Sequence, residues 1–270
     1  MVIIPCGHVV ICGTCVVQLE KCPICRQNIS DRIRSFFAWT LSSFCMIINT
    51  LANINLFHYL SETGRMKVFD HPFTAMISGP SGSGKTSFVS KLLKNASKMI
   101  KPLPKRIIWH YSIWQDSYDI HPNVEFKQGA PSEEDIQSYQ DSLLIIDDLM
   151  SECATLSSDL FTKFSHHYGI SVIYILQNLF IQSKNQRSIS LNSGYIVLFK
   201  NPRDFSQAMF LARQVSPYKP NLCIEAFLDA TKKPHSYLLF DFIQSTPDSH
   251  RMRAEIFPGE ADYIYSKKDI

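Results

Sequence analysis

The 270-residue sequence carries little net charge, 27 Lys and Arg against 24 Asp and Glu, for +3 at neutral pH. Residues 1–65 hold five basic and three acidic side chains, so the rest of the chain is close to neutral. No global basic field points to nucleic acid, although a protein that grips a polyanion through a few loop residues needs none. The charged fraction of 19% and hydrophobic fraction of 45% belong to an ordinary globular chain,. The length allows one large domain or two. Cysteine offers no disulfide framework: five of the eight fall within the first 25 residues, and Cys45, Cys153 and Cys223 are scattered,. No secretory signal opens the chain, so the cytoplasm or nucleus is its expected place. A long apolar run is also missing. Phe36 to Leu60 is broken by Ser42, Ser43, Asn49, Asn53 and Asn55, and its unbroken core, Phe44 to Ile48, is far short of the ~20 residues of a bilayer span,. An amphipathic helix is expected there, and no membrane partner.

What the sequence does contain is Gly79-Pro80-Ser81-Gly82-Ser83-Gly84-Lys85-Thr86, a match to G-x-x-x-x-G-K-[ST],. Phe73 to Ser78 reads as a buried strand before it, and Ser87 to Leu93 as the start of a helix after it, which is the context the motif requires,. The glycines let successive backbone N–H groups turn toward phosphate oxygens, and the helix N-terminus adds its dipole. Lys85 is expected to reach the outer phosphates of ATP, and the Thr86 hydroxyl to ligate Mg²⁺.

Downstream, Lys105 to Ser112 and Val124 to Lys127 read as strands. Pro131 to Tyr139 reads as a helix opened by the capping-box-like Ser132-x-x-Asp135,. Leu143-Leu144-Ile145-Ile146-Asp147-Asp148 is an apolar strand ending in acid, the form of a Walker B segment. It assigns Asp147 to Mg²⁺ and Asp148 to polarising the attacking water. The strand signal between the two motifs predicts a strand between them in the sheet. Asp159 to Tyr168 reads as a helix; Ile170 to Leu176 reads as a central strand ending at Gln177, where a polar amide can sense a γ-phosphate,. Tyr195 to Phe199 and Tyr237 to Phe240 are further strands. Helices are expected from Pro202 through Gln214 and from Asn221 to Thr231, with a mostly polar tail at 261–270. His166-His167 reads as a helix end. Trp109, Tyr111, Trp114 and Tyr118 read as core and rim of the sheet rather than a stacking platform for bases,. The fold class is α/β: a P-loop NTPase with a mainly parallel sheet flanked by helices.

At the N-terminus, Cys6-x-His8-x3-Cys12-x2-Cys15-x6-Cys22-x2-Cys25 has ligand spacing for Zn²⁺,. With "PCGHVVICGTC" and "KCPICRQNISDRIRSFF", it resembles the C-terminal two-thirds of a RING finger, most of all the RING of inhibitor-of-apoptosis proteins. The resemblance implies one complete zinc site of Cys6, His8, Cys22 and Cys25. It leaves Cys12 and Cys15 to a second site whose first Cys pair would precede Met1. That family also uses the missing part to contact the ubiquitin-conjugating enzyme, so ligase activity is not expected.

"GPSGSGKT", "LLIIDDLM", "VIYILQN" and "NPRDFSQAMFLARQV" together resemble viral and virus-derived genome-packaging ATPases of the FtsK–HerA superfamily, over roughly residues 66–260. The resemblance implies a homo-oligomeric ring that pumps double-stranded DNA into a shell of capsid proteins. It also implies a γ-phosphate-sensing Gln matching Gln177 and an arginine from the neighbouring subunit. Arg187 is the first candidate for that arginine, with Arg203 and Arg213 behind it. The family's catalytic acid is usually Glu; here Asp148 is one methylene shorter. One resemblance ends near Phe37 and the other starts near Met66. The expected organisation is therefore a partial RING at 1–34, a stretch at 35–65 that is either a linker or an apolar seam joining two unrelated reading frames, and the ATPase at 66–260. The rival readings are a RING-type ubiquitin-ligase fragment with a relic ATPase, and a P-loop ATPase with helicase or chaperone work.

Overall fold

The computed structural model describes residues 69–116, 118, 121–149, 153, 156, 159–180 and 189–267, with the backbone of three short strands at 2–4, 31–33 and 54–57. The chain divides into two compact units, Met1–Ala52 and Asn53–Ile270. In the first, β1 (Val2–Ile4) pairs antiparallel with β2 (Asp31–Ile33), Val2 opposite Ile33 and Ile4 opposite Asp31. That pairing brings together the two ends of the cysteine-rich stretch. The six expected zinc ligands, Cys6, His8, Cys12, Cys15, Cys22 and Cys25, lie outside the described residues.

The second unit is built on a ten-stranded sheet. Six neighbouring strands are parallel, in the order β11 (Tyr195–Phe199), β5 (Thr74–Ser78), β10 (Ser171–Leu176), β9 (Ser142–Asp147), β7 (Arg106–Tyr111) and β8 (Val124–Gln128). Beyond β11 the sheet continues antiparallel through β12 (Tyr237–Asp241), β13 (Met252–Ala254), β14 (Tyr263–Lys267) and β3 (Ile54–Phe57). A separate two-stranded parallel ribbon pairs β4 (Phe69–Asp70) with β6 (Ile100–Lys101).

The central strands β5, β9, β10 and β11 are buried along their whole length because both faces are covered,. Side chains alternate along each strand. Met76, Leu144, Ile146, Val172, Tyr174 and Leu176 join one core cluster, while Ala75, Ile77, Leu143, Ile145, Ile173 and Ile175 join the other. The second face packs on Phe88, Val89 and Leu92 of α1 (Lys85–Lys94) and on Ala96 and Met99 of α2 (Ala96–Met99). The first packs on Ile136 of α3 (Glu133–Ser138), on Leu160 and Phe161 of a π-helical turn that runs into α4 (Ser165–Tyr168), and on α5 (Ser206–Val215) and α6 (Pro220–Ala230). The capping box at α3 is present: the Ser132 hydroxyl accepts from Asp135 N–H, and the Asp135 carboxylate accepts from Ser132 N–H.

Three expectations require correction. A strand does separate the two motif strands, but it is β10, which follows β9 in the chain. The segments between the motifs, β7 and β8, lie outboard of β9. The connection from β5 through α1 to β7 passes over the two positions that β10 and β9 later fill, and strand signals alone carry no information about that skip. Second, the polar stretch 261–270 contains β14, whose Ser266 and Lys267 are in register with Asn55 and Ile54 of β3. Third, β3 lies within the expected 35–65 seam yet pairs with β14, so the compact unit starts at Asn53 and not at residue 66.

Candidate functional site

Four loops meet at the carboxyl edge of the parallel strands, where α/β sheets bind their ligands. Gly79 follows β5, Asp147 and Asp148 close β9, Gln177 follows β10 and Asn201 follows β11. The spacer strand β10 ties the first three together. Its Ile175 carbonyl accepts from Asp148 N–H at 3.4 Å, and its Leu176 carbonyl accepts from Gly79 N–H at 3.2 Å.

The loop needs its glycines. A Cβ on Gly79 would lie 2.6 Å from Phe199 Cβ and 2.7 Å from Ser83 Oγ, inside any tolerable contact. Gly84 is the N-cap of α1 at φ 108° and lends no side chain to the first turn, whose N–H groups therefore face the loop uncapped,. This cradle fits a polyphosphate. The Lys85 ammonium donates to the carbonyls of Gly79 (2.7 Å) and Pro80 (3.0 Å), two of its three donors,. Burial lowers its pKa, an effect opposed by Asp147 and then Asp148. Lys85 and both acids thus share one electrostatic site.

The two adjacent acids are used differently. Asp147 ends the extended strand and is 5% exposed. Burial raises its pKa; the Tyr118 hydroxyl, donating to Oδ2 at 2.7 Å, works against that shift. A buried carboxylate of this kind calls for a cation. With the Thr86 hydroxyl at the head of α1 it supplies hard oxygen donors, which suit Mg²⁺. Asp148 takes a left-handed backbone, φ 56°, and turns outward. Gln177 Nε2 donates to both its carboxylate oxygens at 3.3 Å. The structure therefore brings together Lys85, Asp147, Asp148 and Gln177.

One residue of this region was not singled out from the sequence, and a second was read only for its packing. Gln207, buried in α5, accepts from Leu179 N–H at 2.7 Å through Oε1. Its Nε2 donates to Asn178 Oδ1 at 3.0 Å and to Asp204 Oδ2 at 2.9 Å, pinning the turn that follows Gln177. The available signal was a lone polar residue on the buried face formed with Ala208, Leu211 and Ala212,. Tyr118 was read only as core, and its hydroxyl has the more specific role described above. The helix expected from Pro202 begins at Ser206, because Asp204 accepts from Ser206 N–H at 3.0 Å and turns the chain first. Arg203 and Arg213 are exposed, Arg213 in the last turn of α5; Arg187 lies outside the described residues. His166 and His167 are exposed in the last turn of α4. Trp109 and Tyr118 are buried, Tyr111 is half-buried and Trp114 is exposed at the rim. Among the described residues, no helix is long and apolar enough to cross a membrane.

Comparison with known proteins finds two separate likenesses. Residues 1–32 match the profile of the C3HC4-type zinc finger (RING finger). Over 38 residues the chain is 50% identical to baculoviral IAP repeat-containing protein 3 of Homo sapiens, covering 14% of this chain and 6% of that one. Over 35 residues it is 40% identical to the apoptosis inhibitor IAP of Cydia pomonella granulosis virus, covering 13% of each chain. The chain thus spans only a small fraction of these curated relatives. Among solved structures it is similar to the genome packaging NTPase B204 of Sulfolobus turreted icosahedral virus 2, at TM-score 0.42 and 14% identity over 65% of this chain and 95% of that one. It is also similar to the cytoplasmic domain of the type VII secretion ATPase EccC of Thermomonospora curvata, at TM-score 0.40 and 13% identity over 72% of this chain and 25% of that one.

Proposed function

We propose that the 53–270 unit is an ATP-hydrolysing motor that translocates double-stranded DNA as a homo-oligomeric ring, in the manner of genome-packaging ATPases. The observation that carries the enzymatic part is the convergence of the Gly79–Thr86 loop, Asp147, Asp148 and Gln177 on one sheet edge, with β10 holding them in register. The DNA part rests on the four sequence motifs and their resemblance, and it brings capsid proteins as expected partners in the cytoplasm or nucleus.

In this reading the loop N–H groups and Lys85 bind the β- and γ-phosphates of ATP. Thr86 and Asp147 hold Mg²⁺, which supplies charge neutralisation on the phosphates. Asp148 accepts the proton of the attacking water, and Gln177, bonded to both Asp148 oxygens, orients it and senses the γ-phosphate,. An arginine from a neighbouring subunit completes the site, Arg187 being the first candidate. The test is ATP hydrolysis by the full chain, with and without linear double-stranded DNA, beside Lys85→Ala. Turnover that DNA raises and the substitution lowers on the order of 100-fold is expected. Turnover indifferent to DNA would refute translocation and leave the ATPase; turnover unaffected by Lys85→Ala would refute the site.

The match of residues 1–32 to a RING profile favours a second, separable reading: a zinc-binding module of the ubiquitin-ligase class. Cys6, His8, Cys22 and Cys25 would hold one Zn²⁺, and Cys12 and Cys15 would contribute to another. Metal analysis of the purified chain before and after Cys22→Ser tests the first site. Ubiquitin transfer in the presence of a conjugating enzyme tests the ligase reading, and its absence would refute that part.

A further inference from the structure

Tyr118, between β7 and β8 in the chain and 1% exposed, lies directly on Asp147 at the end of β9. Four aromatic rings hold Tyr118. Phe126 stacks on it at 5.3 Å and 17°, Trp109 lies at 4.9 Å, Trp114 at 5.4 Å and Tyr111 at 5.7 Å. Three of the four stand on neighbouring strands, Trp109 and Tyr111 on β7 and Phe126 on β8, and Tyr111 is the register partner of Asp147 itself. The ring cannot swing away without disturbing two strands. Its hydroxyl therefore makes a fixed 2.7 Å bond to Oδ2. The buried Trp109 indole N–H also favours the charged form of the same carboxylate.

We propose that Tyr118 is the positioning residue for the metal-holding carboxylate: it takes Oδ2, fixes the rotation of Asp147 and so presents Oδ1 toward the loop. This rests on the assignment of Asp147 to Mg²⁺ in the proposed function. A hydroxyl bonded behind a ligating carboxylate is the usual way a protein orients a metal ligand, and losing such a partner typically weakens metal binding roughly 10- to 100-fold. Tyr118 touches neither substrate nor metal in this scheme; it acts through Asp147.

The experiment is a Mg²⁺ titration of the full-length protein with a fluorescent ATP analogue, comparing wild type with Tyr118→Phe. The substitution keeps the ring in its cluster and removes only the hydroxyl. A near-UV circular dichroism spectrum that superimposes on wild type establishes that the cluster is intact. We expect metal-free nucleotide affinity within about twofold of wild type and a Mg²⁺ half-saturation about tenfold higher, at the low end of the range for such partners. The fall in turnover should be largely recovered by raising Mg²⁺, which a merely structural defect would not allow. A wild-type chain that responds to Mg²⁺ beside a variant with the same half-saturation would overturn the role of Tyr118 alone. A wild-type chain whose nucleotide binding ignores Mg²⁺ would overturn the metal role of Asp147, and this inference with it.

Discussion

Replacing Gln207 by methionine tests whether a buried side chain of α5 governs the site. Methionine nearly matches glutamine in volume, so no cavity complicates the result. What disappears is three hydrogen bonds: from Leu179 N–H, to Asn178 Oδ1 and to Asp204 Oδ2. Neutral bonds contribute about 0.5–1.5 kcal/mol each and bonds to charged groups about 1.5–3. Asp204 is partly exposed and regains water, which places its bond at the low end of that range. Losses of about 2.5–4.5 kcal/mol are therefore expected. For a unit of this size that corresponds to a fall in Tm of roughly 5–18 °C, read by circular dichroism on the full chain. The turn freed by the substitution begins one residue after Gln177, so kcat should drop several-fold while ATP affinity changes little. Gln207→Glu is the control: it keeps the acceptor for Leu179 N–H, loses the amide donors and sets a second carboxylate against Asp204. It should be at least as damaging. A loss under about 1 kcal/mol with unchanged kcat would refute the idea that this network positions the turn.

Three further outcomes are expected. Gly79→Ala forces a Cβ into Phe199 and Ser83 and should abolish nucleotide binding while costing about 1–3 kcal/mol of stability, both measurable by thermal shift with and without ATP. Asp148→Asn should retain ATP binding yet lower kcat on the order of 100-fold or more; single-turnover kinetics within threefold of wild type would remove Asp148 from the chemistry. The Ser132 backbone N–H bond, with help from Lys127, depresses the Asp135 pKa to about 2. Its contribution is therefore complete above the unfolded-state pKa near 3.8 and is lost as pH falls toward 2,. Because the side chain is about a third exposed, screening limits that contribution to about 1 kcal/mol. Asp135→Asn should remove this part of the acid-induced loss in urea titrations between those pH values.

The nucleotide loop, the acid-ended strand and the polar end of β10 could be read from the sequence because each is a local pattern: glycines at fixed spacing, an apolar run, a terminal amide. The capping box at Ser132 was legible for the same reason. The order of strands was not, since the skip from β5 to β7 is a property of the crossover and leaves no mark on either strand. The antiparallel edge was hidden because β14 and β3 are short and mixed in polarity, and each makes sense only beside the other. The left-handed turn at Asp148 and the Tyr118 hydroxyl on Asp147 depend on contacts across the sheet, 29 residues apart in the second case.

The left-handed backbone at Asp148 has a consequence for how this chain can change. Glycine would relax that conformation, and it is the residue a screen for heat resistance would favour there. The same change would delete the carboxylate that Gln177 grips. A population selected only for persistence would drift toward glycine at 148, and one selected for work would keep the acid. The side chain found at this position in any descendant of this chain therefore records which of the two pressures has been acting.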